Sequence, residues 1–339
     1  MTPREALTAL LAGNGLEHQQ MRAVMNGIMS GEFTPIQTAG IVTALRAKGE
    51  TDVELAAAAE VMRDLSVKVD VSGLDHVVDT CGTGGDGMHT FNISTTAAFV
   101  AAAGGARVAK HGGRAVSSTS GSAEVLEALG IPVTTFSPEK VAESLRHQGL
   151  GFMFAPNHHT AMRHTVAVRR ELGVRTLFNI LGPLTNPASA PYQVLGVFSP
   201  HLTGLLARVL RLLGSRHALV VHGADGLDEI TLSGPTHVAE LRHGDIREYL
   251  LEPESLGLGR APLNGLLVKD AAESRRMLEE VLNNQSGPAR DIVLLNAGAA
   301  LYVAGLAGHV REGVDLARHV IASGAARRKL DELVEWSHA

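Results

Sequence analysis

Apolar positions along the chain fall into two regimes. Through residue 66 they recur at helical spacing, as in Ile36, Ile41 and Leu45, or Leu55, Ala59 and Met62. Three start signals of one kind punctuate that stretch. Thr2, Thr34 and Thr51 stand three positions before Glu5, Gln37 and Glu54, and Pro3 and Pro35 take the first helical position. A hydroxyl at the N-cap and a carboxylate or amide three residues on bind each other's free backbone N–H groups, and proline at the first position sacrifices no helical bond. The pattern predicts a small all-helical domain of four helices over residues 1–70, joined by part of 165–190.

From about residue 75 short apolar runs alternate with glycine-rich turns and longer helical windows. Residues 76–79, 106–109, 132–136, 151–154, 192–198 and 217–221 read as strands, and 95–103, 123–129, 138–147 and 200–213 as helices. Strand, loop, helix, strand implies a mostly parallel central sheet with right-handed crossovers. Residues 238–251 read as an added hairpin turning at Gly244 and Asp245, and the chain from Ala271 onward is helical, with alanine and glycine at 297–300 suited to close helix packing. The fold class is α/β: a small helical domain and a larger α/β domain over 71–339.

Composition narrows the function. A length of 339 residues, 45% of them hydrophobic, suffices for a large core. A net charge of −5 gives no polybasic balance, so nucleic acid and anionic membrane are not expected partners. A single cysteine, Cys81, excludes an internal disulfide framework and a multi-cysteine metal site, and suits a reducing cytosol. The opening residues show no basic region followed by an apolar one, and no uncharged run reaches the ~18 residues of a membrane span. A cytoplasmic protein is expected.

Residues 79–95 read DTCGTGGDGMHTFNIST. Gly82, Gly84 and Gly87 match G-x-G-x-x-G, but Met88 to Phe91 intervene before any helix, and the next strand ends in Lys110 and His111 rather than an acid for a ribose diol. The P-loop pattern fails as well, because Met88 and His89 stand where Lys and Ser or Thr belong. A loop that brings backbone N–H groups to an anion remains, with Asn92, Ser94 and Thr95 at the start of the following helix, where phosphate or a metal could be held. A tight turn with Ser94 as a plain cap is the bland alternative.

A second strand-to-helix loop, residues 110–122, holds Lys110, Gly112, Gly113, Arg114, Ser117, Ser118 and Ser122. Two such loops at one edge of a parallel sheet suggest a ligand with two phosphate groups. A third segment supplies Asp228 and Glu229, hard oxygen ligands of the kind magnesium takes through water and a bound phosphate, or else an acidic turn facing solvent.

These residues resemble the anthranilate phosphoribosyltransferase family over nearly the whole chain. The resemblance rests on 79–86 (DTCGTGGD), 92–95 (NIST), 110–118 (KHGGRAVSS), 168–173 (VRRELG), 178–187 (FNILGPLTNP) and 226–229 (GLDE). It implies a fold of the nucleoside phosphorylase type III kind, a homodimer, and transfer of 5-phosphoribose from phosphoribosyl pyrophosphate to anthranilate in tryptophan biosynthesis. By it, Gly82, Gly85, Asp86, Thr90, Asn92, Ile93, Ser94, Thr95, Lys110 and Ser122 would bind phosphoribosyl pyrophosphate, with the loop through Ser117 and Ser118 closing over it. Ser94, Asp228 and Glu229 would carry Mg2+. Arg169 would meet the anthranilate carboxylate, and His111, His159 and Pro183 would line the acceptor's path, with Lys110, His111 and Arg169 the catalytic set. Gly113 departs from the family's usual Asn, which helps hold anthranilate, and Thr160 from its frequent Pro.

Other readings compete. A pyrimidine nucleoside phosphorylase of the same fold would use free phosphate and have less need of the Asp228 and Glu229 pair. A non-catalytic relative binding single-stranded nucleic acid would need stacking platforms, which are scarce at 4% aromatic residues. His158, His159 and His164 lack a cysteine or acid to complete a tetrahedral metal set. No serine, histidine and aspartate relay stands out, in keeping with a non-covalent route.

Overall fold

A computed structural model describes residues 1–114 and 120–339. Four helices, Pro3–Leu11, His18–Met29, Pro35–Lys48 and Asp52–Asp64, open the chain. Thr2, Thr34 and Thr51 cap three of them in reciprocal boxes with Glu5, Gln37 and Glu54. The second helix starts without a hydroxyl: the Glu17 N–H donates to Gln20 Oε1 at 2.9 Å. Ile36 departs from the expected apolar face and is 85% exposed, whereas Ile41 and Leu45 are buried. Five residues at about 100° each turn Ile36 most of the way round from Ile41. Glu54 is buried yet satisfied, accepting from the N–H of Leu16 (2.9 Å) and from Lys48 Nζ (2.9 Å).

Among the described residues seven strands follow: β1 Val77–Gly82, β2 Arg107–Gly112, β3 Leu150–Phe154, β4 Tyr192–Gly196, β5 His217–Gly223, β6 Thr236–Arg242 and β7 Asp245–Leu251. Their order is β3-β2-β1-β4-β5-β6-β7, parallel through β5 and antiparallel thereafter. The run at 132–136 is no strand. Val133–Thr135 form a 3-10 turn in which the Thr135 N–H donates to the Pro132 carbonyl at 3.0 Å. A short β-branched run does not by periodicity declare itself a strand, and Pro132 has no N–H for a ladder. The hairpin turns one residue earlier than expected, at His243 (φ 53°) and Gly244 (φ 86°), the paired left-handed residues that match strand twist.

Alternation along the strands sorts side chains to two faces. Val194, Leu219, Val221 and Val238 pack with the helices Ile93–Ala103 and Pro288–Val303. Leu195, Ala218, Val220 and Leu241 pack with His201–Leu212 and with the helical domain, whose core also includes Leu177, Phe178, Leu181 and Leu184. The helices Pro288–Val303 and Val310–Ala322 touch backbone to backbone, since a Cβ at Gly313 would overlap the Gly298 carbonyl. The chain runs outward from β1 to β2 and β3, then returns to lay β4 on β1's other side. That reversal opens a crevice at the carboxyl ends of β1 and β4, where sheets of this class take ligands.

Candidate active site

Gly82 and Gly196, the last residues of β1 and β4, lie side by side. The turn bearing Asp228 fills the crevice between them. A Cβ at Gly82 would lie 2.5 Å from Asp228 Oδ2, and one at Gly196 would overlap the Asp228 carbonyl oxygen. The Gly84 N–H donates to Asp228 Oδ2 at 2.8 Å. Gly84, Gly85 and Gly87 all hold left-handed φ (64°, 78°, 73°), so the loop's path excludes side chains on conformational grounds as well. Asp86 Oδ1 accepts from the Met88 N–H at 3.1 Å, and Thr90 bridges to Leu267.

Asp228 and Glu229 are partly exposed as residues, but their carboxyl groups are enclosed. Burial, followed by the charge of Asp86, pushes Asp228 up to about 7. Burial, followed by Asp228 itself, pushes Glu229 up to about 8, with Lys110 and the Ser94 hydroxyl pulling the other way. Lys110 is buried beneath them. Its ammonium donates to the Thr80 carbonyl and to Ser94 Oγ (3.1 Å), and burial lowers its pKa against the pull of Asp79. Ser94 thus stands between the cation and the acidic pair.

The second loop meets the first through hydroxyls, with Thr95 Oγ1 donating to Ser122 Oγ at 3.0 Å. The Asn92 side chain is a bracket: its Nδ2 donates to the Ser120 carbonyl (3.2 Å), and its Oδ1 accepts from Ser120 Oγ (3.1 Å) and Ser274 Oγ (2.7 Å). Ile93 is buried in the core, and its N–H donates to the Phe91 carbonyl at 2.7 Å, so neither its side chain nor its N–H faces a ligand. A Cβ at Gly112 would meet Phe152 at 3.2 Å, whereas Gly113 faces nothing within 4 Å among the described residues. Arg114 pairs with Glu127 at 3.0 Å and lies 5.9 Å over Phe154. Ser117 and Ser118 lie outside the described residues.

The acceptor side is built differently. The His111 N–H donates to Asp79 Oδ1 (3.2 Å), and Asn186 Nδ2 donates to Asp79 Oδ2 (2.7 Å) and the Ala109 carbonyl (2.8 Å), which ties residues 178–187 to β1 and β2. His111 and His159 meet edge to face, ring centroids 5.0 Å apart. The Nε2 atoms of both are buried and have no hydrogen-bond partner among the described residues. Burial, reinforced by neighbouring imidazoles, drives His111 well below its ordinary value and His159 to about 4, so both rings are neutral at pH 7. Arg169 lies 5.9 Å over Phe178, its pKa lowered by burial. Among the described residues no carboxylate pairs with it. Pro183 is buried, its carbonyl accepting from Gln193 Nε2 at 2.7 Å. His158 binds the Val67 carbonyl through Nδ1 (2.7 Å) and His164 lies against Gly31.

Residues 74–327 match the glycosyl transferase family α/β domain, and 4–66 the helical bundle domain of the same family. The anthranilate phosphoribosyltransferase of Thiobacillus denitrificans is 60% identical over 99% of this chain and 98% of its own, and that of Nitrosomonas europaea 58% over 100% and 99%. The chain belongs to the anthranilate phosphoribosyltransferase family. The Thermus thermophilus anthranilate phosphoribosyltransferase superposes with a TM-score of 0.93 at 46% identity, covering 98% of this chain and 99% of that one. The Saccharomyces cerevisiae anthranilate phosphoribosyltransferase, solved with phosphoribosyl pyrophosphate and magnesium, gives a TM-score of 0.91 at 29% identity, covering 99% and 98%.

Several parts of the site carried no local signal in the sequence. Gly196 looks like an ordinary strand end, and Ser274 like an ordinary helix residue. Arg175, whose guanidinium donates to the Gly85 carbonyl, sits just past a stretch read only as family motif. Their partners lie far away in the chain, and spacing along one segment does not reveal them.

Proposed function

We propose that this chain transfers 5-phosphoribose from phosphoribosyl pyrophosphate to the amino group of anthranilate, giving N-(5-phosphoribosyl)anthranilate and pyrophosphate in tryptophan biosynthesis. The observation that carries this reading is the meeting, at the β1 and β4 ends, of two strand-end loops with the Asp228 and Glu229 pair, one step from a buried Lys110 and Ser94.

The residues fit Mg2+. Two buried carboxylates with raised pKa values are anions short of counter-charge, and Ser94 adds a neutral oxygen. Among the described residues no group of three or more His, Cys, Asp or Glu offers a metal cluster, so bound phosphate oxygens would complete the shell. Bound there by Asp228, Glu229 and Ser94, the ion would neutralise charge on the leaving pyrophosphate. The glycine loop and the helix start at Ser94 and Thr95 offer backbone N–H groups to the phosphates, the Asn92 and Ile93 N–H groups being bonded to Ser274 and Phe91, and Lys110 adds positive potential from below. Arg169, unpaired, takes the anthranilate carboxylate. Gly112, Gly113 and Arg114 border the same cleft. The neutral rings of His111 and His159 line it without placing a second cation beside the sugar's developing positive charge. The C1–O bond to pyrophosphate breaks, the arylamine nitrogen forms the new bond to C1, and the ammonium then releases its proton to solvent. Placement and leaving-group stabilisation supply the rate.

We place the protein in the cytoplasm as a homodimer, supported by the family resemblance and the lone buried cysteine. The purified protein with both substrates and magnesium should consume anthranilate fluorescence, and EDTA should stop it. A persistent signal at high enzyme concentration sinks the assignment.

A further inference from the structure

Arg175 lies between two parts of the site. Before it runs the helix Val166–Leu172, which carries Arg169 and ends on Gly173, whose left-handed φ of 60° accompanies an N–H bond to the Arg169 carbonyl at 3.3 Å. Immediately after it, the Thr176 N–H donates to Asn179 Oδ1 at 3.0 Å and starts the short helix Phe178–Leu181. The side chain leaves this segment and reaches the glycine loop. One guanidinium nitrogen donates to the Gly85 carbonyl, and the guanidinium carbon lies 4.2 Å from the centre of the Phe198 ring. A Cβ at Gly85 would come 3.2 Å from that nitrogen.

Phe198 belongs to the same unit. Its N–H donates to Thr83 Oγ1 at 3.1 Å, and the Thr83 N–H donates to the Gly196 carbonyl at 2.9 Å. Arg175 therefore holds the glycine loop at two points, by its carbonyl and by the aromatic ring that backs it. The planar fork suits both contacts at once, since it can donate in its plane while stacking by its face.

We propose that Arg175 is a positioning residue that couples the phosphate-facing glycine loop to the acceptor-side segment bearing Arg169, so that filling either side favours filling the other. The coupling rests on the function proposed above. A ligand that settles the glycine loop settles Gly85, and through Arg175 the chain on either side of residue 175. The second ligand then meets a segment already ordered, and by linkage the effect is reciprocal.

The test is calorimetric, with benzoate as an aromatic carboxylate that lacks the attacking amine. Phosphoribosyl pyrophosphate with excess magnesium is titrated into wild type, Arg175→Met, Arg175→Lys and Phe198→Leu, with and without saturating benzoate. Wild type should bind the ester about fivefold or more tightly when benzoate is present. In Arg175→Met and Phe198→Leu that ratio should fall to near one, with benzoate binding alone within twofold of wild type, and Arg175→Lys should recover part of it. Thermal midpoints of the variants establish that each is folded. Turnover of anthranilate by wild type, run alongside, reports on the activity separately. An active wild type with no coupling, an Arg175→Met protein that keeps it, or equal weakening of both ligands at unchanged ratio overturns the inference.

Discussion

The loops leaving β1 and β2 are both rich in glycine, yet the glycines meet different surroundings. After β1, protein atoms crowd two of the glycines, Asp228 at Gly82 and Arg175 at Gly85, while Gly84 and Gly87 meet no described atom within 4 Å and owe their glycine to left-handed φ. After β2, Gly113 meets no described atom within 4 Å, and Gly112 meets Phe152 at 3.2 Å and the Ser122 Cβ at 3.6 Å. In the first loop the acidic turn is pressed against Gly82, Arg175 against Gly85, and left-handed φ accounts for Gly84 and Gly87. The second leaves room that nothing in the described chain fills. A glycine-rich strand end thus signals a ligand only once its protein neighbours have been placed.

The contrast is broken most severely at Gly196. Replacing it with alanine forces a methyl group into the Asp228 carbonyl oxygen, with backbone on both sides and no flexible side chain to yield. Gly196→Ala should destabilise the fold by about 3 kcal/mol, the upper range for overpacking. Phosphoribosyl transfer should fall with it, because the acidic pair moves. Denaturant unfolding checks the first effect and turnover the second; wild-type values for both would mean that the turn is not held where the structure has it.

Much of the fold was legible because its causes are local. Thr2, Thr34 and Thr51 announced their helices through partners three residues away, and short apolar runs alternating with glycine-rich turns and helical windows announced a mostly parallel sheet. The failures were local signals with more than one meaning. Val133 to Thr135 are β-branched but turn after Pro132, and Ile36 is apolar but points outward from the first turn of its helix. In the site, residue types were legible and geometry was not. Asp228 and Glu229 read as hard ligands from sequence, but no pattern says that Gly84 donates to Asp228 or that Asn92 is spent on Ser120 and Ser274. Those bonds exist only after the sheet has closed.

A smaller effect sharpens the comparison from the acid side. Both carboxyls have folded pKa values raised, to about 7 and about 8, above the ordinary range near 4. Below about pH 4 the pair is protonated in both states and costs nothing. As pH rises the unfolded chain releases these protons before the folded one does, so the metal-free protein loses stability up to the folded values. The thermal midpoint in chelator should therefore fall between about pH 5 and 8, and magnesium should recover it. Glu229→Gln should flatten that fall while slowing transfer roughly a hundredfold. A pH-independent wild-type midpoint in chelator would contradict the burial of the pair.

The smallest effect belongs to the open side. Gly113 has no left-handed φ, and a Cβ at that position would meet no atom of the described residues within 4 Å, so Gly113→Asn should change stability by less than about 0.5 kcal/mol. The resemblance implies that the family's usual Asn at this place would help hold anthranilate, and one net hydrogen bond of about 1 kcal/mol corresponds to roughly a fivefold change in affinity. Gly113→Asn should lower the KM for anthranilate by about that factor and leave the KM for phosphoribosyl pyrophosphate unchanged. Steady-state kinetics with each substrate varied in turn decides it. An unchanged anthranilate KM would mean that another group already occupies the space beside Gly113, and the two loops would then differ less than their glycines suggest.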